Sequence, residues 1–134
     1  MRLAATVVAI FFLCYSAQAT AWSKAIWPFN TPYMVAKQIC TNAEGWAKSA
    51  VQSRGYGGQA ELMRELRNTQ ELEIRDDPKY KEWHAIYYGE MTKFVRLVWK
   101  NPNVTEDMAV EMVARDCNSR INSIQKRLEN AGPD

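Results

Sequence analysis

His84 is the only histidine among 134 residues, and its side-chain type suits proton transfer near neutral pH. One imidazole cannot build a two-histidine metal site. The chain also contains no HExxH, no CxxC and no acidic calcium loop. We therefore expect no metal and no cofactor. A general base needs an orienting carboxylate. Glu82 and Glu90 share the stretch with His84, but neither is three or four positions away, so neither stacks on it in a helix. No serine or cysteine pairs with it by spacing, and a nucleophilic triad has no support. The simpler expectation is a packed ring hydrogen-bonded to a neighbour, with no catalytic residues assigned. An enzyme built on His84 is the least favoured of three readings.

The acid pairs Asp76-Asp77 and Glu106-Asp107 could in principle share acid and base roles. Both sit where helices begin, and a helix start favours negative charge. Gly55-Tyr56-Gly57-Gly58 is glycine-rich but lacks the Lys-Ser/Thr of a phosphate loop and follows no strand, so it reads as a turn. Tyr56 on that turn is a candidate partner contact. Asn103-Val104-Thr105 has the form of a glycosylation acceptor, which matters only in a eukaryotic secretory route.

The cysteines depend on the leader. Met1-Arg2 is a short positive start, Leu3 to Tyr15 is almost wholly apolar, and Ser16-Ala17-Gln18-Ala19 ends in small residues. We read residues 1–19 as a cleaved secretory signal peptide, with cleavage after Ala21 as the alternative. The apolar run is short of the roughly 20 residues a membrane span needs. Contact with the membrane is thus expected only in transit, and the mature chain is expected in the periplasm or outside the cell. Removal of the leader takes away Cys14 and Arg2. It leaves 16 Lys and Arg against 15 Asp and Glu, a formal net charge of +1. A near-neutral chain has no electrostatic pull towards nucleic acid. Cys40 and Cys117 remain. In an oxidising compartment an even pair favours a disulfide, against the alternative of two buried thiols.

These side chains must be positioned by helices. Asp77 to Lys100 carries Tyr80, Trp83, Tyr87, Met91, Phe94 and Val98 at intervals of three and four, with His84, Tyr88, Val95 and Trp99 beside them. Such a helix needs cover on several sides, so it should be central. Trp83, His84, Tyr87, Tyr88 and Met91 could instead line a groove for a small apolar ligand, the second reading. Thr31-Pro32 opens a first helix ending near Arg54, with Ala36, Ile39, Cys40, Ala43, Trp46, Ala47 and Ala50 in its apolar pattern. Gln59 to about Ile74 is a second helix, with Leu62, Met63, Leu66 and Leu72 inward. Asp76-Asp77-Pro78 caps the third. Thr105 caps a last helix whose stripe is Ala109, Met112, Val113, Cys117, Ile121, Ile124 and Leu128. Nothing reads as a strand.

The expectation is an all-α, compact four-helix domain over residues 32–134, with Cys40–Cys117 joining the first and last helices. An aromatic-rich N-terminal arm (20–31) precedes it, and Trp22, Trp27 and Phe29 there are further candidate partner contacts. Ile39-Cys40, Ala43, Ala47 and Arg54-Gly55, followed by Val98-Trp99-Lys100-Asn101-Pro102, Met112-Val113 and Cys117, resemble small exported bacterial helical proteins with two cysteines. Those proteins mostly lack an assigned function. The resemblance implies a bacterial, periplasmic setting and transfers no catalytic residues. The first functional reading is a non-enzymatic protein-binding factor of inhibitor, immunity or accessory type, its partner unidentified.

Overall fold

The computed structural model describes residues 31–54 and 58–132. All lie in one compact unit, Thr31–Asp134. The described residues form α1 (Pro32–Ser53), α2 (Gly58–Asp76), a 3-10 turn (Pro78–Tyr80), α3 (Lys81–Trp99), α4 (Glu106–Ser119) and α5 (Ile121–Asn130), with no strand among them.

α1 begins as its sequence dictates. The Thr31 hydroxyl accepts from the Met34 N–H at 3.3 Å, and Pro32 fills the first turn. Its buried face is Val35, Ala36, Ile39, Cys40, Ala43, Ala47 and Ala50. The alanines leave that face shallow, and α4 packs along it more extensively than any other helix. Cys40 and Cys117 are joined, with their Cα atoms 5.5 Å apart. The bond links positions 77 residues apart, and the chain-entropy model gives about 4.5 kcal/mol for such a loop.

α3 is the central helix. Met91, Phe94, Val95 and Val98 are wholly buried, each contributing about 1.5–3 kcal/mol by removal from water. Its two ends are held by indole N–H groups. Trp83 donates to the Leu128 carbonyl at 3.0 Å, tying the start of α3 to the end of α5. Trp99 donates to the Ala50 carbonyl at 3.1 Å, tying the other end to α1. Arg54 then closes the α3 C-terminus. Its guanidinium donates to the carbonyls of Val98 (2.6 Å), Asn101 (2.7 Å), Pro102 (3.0 Å) and Val104 (3.1 Å). Two of them, Val98 and Asn101, also accept backbone N–H groups from Asn101 and Val104, so the guanidinium adds a second donor there.

Three expectations need correction. The helix count is five, not four, because the last helix breaks at Arg120. The Ser119 hydroxyl donates to the Asp116 carbonyl at 2.7 Å, the acceptor that the Arg120 N–H would use in a regular helix. The Arg120 N–H turns to the Cys117 carbonyl at 3.0 Å, and Arg120 adopts φ −112°, ψ 8°. The disulfide therefore joins α1 to α4, not to the final helix. The buried stripe still runs through the break, because Cys117 and Ile124 are seven residues apart.

Leu72 does not face inward. It is 49% exposed, and the neighbouring Glu73 takes the buried position. Asp77 heads the 3-10 turn without a side-chain capping bond, and its carboxylate points towards His84 instead.

Candidate functional site

Two groups of polar side chains lie inside the helical body. The first joins α2 to α3. His84 is wholly buried and Glu73 is 4% exposed. The His84 Nδ1 is 3.1 Å from Glu73 Oε2, and its Nε2 is 3.7 Å from Asp77 Oδ2. Both ring nitrogens thus face carboxylates, one from α2 and one from the junction before α3. Tyr88 stands beside Glu73. Burial pushes its hydroxyl far above the ordinary tyrosine value, and the Glu73 carboxylate and Tyr87 add to the effect. Tyr87, edge-on to Tyr88 at 4.8 Å, accepts from the Asn42 side-chain amide at 3.3 Å. Its hydroxyl is also pushed up by burial, against bonds to Asn42 and Trp46 that pull it down.

The second group joins α3 to the α4–α5 break. The Glu90 side chain is wholly buried and meets three cations. Arg127 approaches Oε1 at 2.6 Å, Lys93 approaches Oε1 at 2.9 Å, and Arg120 approaches Oε2 at 2.8 Å. Arg120 also reaches Asp116 at 2.9 Å and lies 5.5 Å from the Phe94 ring centre. Burial would push the Glu90 carboxyl up. The bonds to Lys93, Arg127 and Arg120 outweigh it and hold the group below the usual carboxylate range.

The first group has the residue types of an acid–base site but not the access. No face of the His84 ring reaches solvent. The residues proposed for a ligand groove are core side chains: Trp83, His84, Tyr87, Tyr88 and Met91 are 0–6% exposed. Two shallow surface depressions lie elsewhere. One is lined by Asn68, Glu71, Leu72 and Arg75, the other by Glu82, Ala85, Ile86, Arg127, Asn130 and Ala131. Among the described residues, no three His, Cys, Asp or Glu side chains are grouped to hold a metal ion, and no helix is long and apolar enough to cross a membrane.

Of the proposed partner contacts, Trp22, Trp27, Phe29 and Tyr56 lie outside the described residues. The large apolar side chains exposed on the body are Tyr33 (46%), Met34 (53%), Leu72 and Met108 (52%). Sequence reasoning missed Glu73, because a carboxylate eleven residues from His84 carries no periodic signal. It missed the Glu90 cluster for the same reason: Arg127 is 37 positions away. The one available hint was Glu90 itself, an acidic residue at the edge of an apolar stripe.

Compared with known proteins, the chain matches no family model, no curated protein and no solved structure.

Proposed function

We propose that the protein is an exported, non-enzymatic protein-binding factor of the inhibitor, immunity or accessory type, working in the periplasm or outside the cell. The burial of His84 carries the reading. The only histidine is wholly enclosed, with a carboxylate near each ring nitrogen, so a substrate atom has no approach to it. The five aromatic and methionine positions that would serve a ligand carrier are occupied in core packing. What the body offers the outside is a surface, stiffened by the disulfide and by the indole and Arg54 ties at the ends of α3. The disulfide is consistent with export, since such bonds persist in oxidising compartments.

The test is affinity capture with the tagged mature chain from extract of the producing cell's envelope. A single protein recovered at stoichiometric level is the expected result, and an equal recovery is expected from the folded double variant Glu73→Gln, His84→Gln. Capture of no protein would overturn the reading, and turnover of a small substrate that His84→Gln abolishes would replace it with an enzyme.

A further inference from the structure

The contact surface can be narrowed. Resting on the protein-binding reading, we infer that the seam between α3 and α5 is the docking face and that it takes an acidic segment of a protein partner. The seam holds the shallow depression lined by Glu82, Ala85, Ile86, Arg127, Asn130 and Ala131. Beside it the surface is cationic. Lys93 is 56% exposed and Arg127 43%, while the carboxylate they share, Glu90, is wholly beneath them; Arg120 beside them is already matched by Asp116. Along the outer strip of α3, Lys93, Arg96 and Lys100 outnumber the single acid Glu82. A buried anion under exposed cations leaves their outward N–H groups turned towards whatever approaches, and a carboxylate is the group they fit. Such a patch is too small for a nucleic-acid footprint.

Gly89 is the second observation. It lies mid-helix on the same strip, one turn from both Ala85 and Lys93. Its backbone is ordinary helix, and a Cβ added there would meet nothing within 4 Å. Neither conformation nor internal packing asks for glycine, although glycine is among the poorest helix formers. Gly45 in α1 is open in the same way, so glycine alone marks no face; on this strip Gly89 leaves room for a partner backbone at close range beside the cations. The acidic segment is therefore placed across Ala85 and Gly89, an aliphatic side chain in the depression and carboxylates towards Lys93, Arg96 and Arg127.

Site-specific photo-crosslinking in the producing cell tests this, with the photoreactive residue placed in the full chain at Ala85, Gly89, Lys48 or Glu111. Adducts from positions 85 and 89 only are expected, on a partner peptide rich in Asp and Glu. Gly89→Glu should weaken capture of that partner at least tenfold. Gly89→Ala should melt a few degrees higher than the native chain, which separates loss of docking from loss of fold. Adducts confined to positions 48 or 111, or capture unchanged within twofold by Gly89→Glu, would overturn the seam and leave protein binding intact. No captured protein at all would overturn both.

Discussion

The two buried carboxylates, Glu73 and Glu90, solve one problem in opposite ways. Each is removed from water, and an unpaired buried charge is costly. Glu90 draws three cations whose outer faces still touch solvent. Glu73 relies on an imidazole that is itself wholly enclosed, together with the Tyr88 hydroxyl. The difference lies in what remains when one member is removed. Water can reach the cations left by Glu90. It cannot reach the carboxylate left by His84. The α2–α3 contact is therefore the brittle one and the α3–α5 contact the tolerant one.

Substitutions can break that contrast. His84→Leu leaves Glu73 with only the Tyr88 hydroxyl and should cost about 3 kcal/mol, the upper end for a buried polar group that loses a partner. Glu90→Leu should cost less, about 1–2 kcal/mol, because Lys93, Arg120 and Arg127 can turn to solvent. Denaturant unfolding of both variants ranks them directly. A larger loss for Glu90→Leu would reverse the comparison.

Acid and base sharpen it further. The Glu90 carboxyl titrates lower folded than unfolded, so its contribution is present above the ordinary carboxylate range and is lost as pH falls through its folded value. Stability of the native chain should fall on acidification below about pH 4.5, and Glu90→Gln should flatten that fall. The Tyr88 hydroxyl titrates higher folded than unfolded. Its contribution is full below the ordinary tyrosine value of about 10 and declines as pH rises past it. Alkaline unfolding followed by tyrosinate absorbance should begin there, and Tyr88→Phe should delay it. The smallest effect is at Arg127. Its guanidinium is 43% exposed, and Arg127→Met should cost about 1 kcal/mol or less, since Lys93 and Arg120 still hold Glu90.

The same contrast explains what was legible in the sequence. Local chemistry was readable. Thr31 and Thr105 cap α1 and α4 with bonds to Met34 and Met108, as their spacing predicts. The α3 stripe is buried from Trp83 to Val98, and Cys40 and Cys117 fall on facing stripes. Interactions set by the tertiary arrangement were not readable. Nothing in Ser119-Arg120 announces a break: the Ser119 hydroxyl bonds the Asp116 carbonyl there, but Thr41 and Thr69 make similar bonds inside unbroken helices. Leu72 and Glu73 exchange the expected places because burying Glu73 gives His84 its partner, and that partner comes from another helix. The Arg54 ties likewise join a helix end to a loop more than forty residues later.

On the protein-binding proposal His84 is structural and the biological work is done at the surface. The most direct test is the double variant Glu73→Gln, His84→Gln, which keeps volume and hydrogen bonding while removing the imidazole and its carboxylate. We expect a folded protein, destabilised by less than about 2 kcal/mol, that restores the full phenotype of the producing cell when it replaces the native chain. A variant that folds to native stability but restores none of the phenotype would contradict the account and return His84 to chemistry.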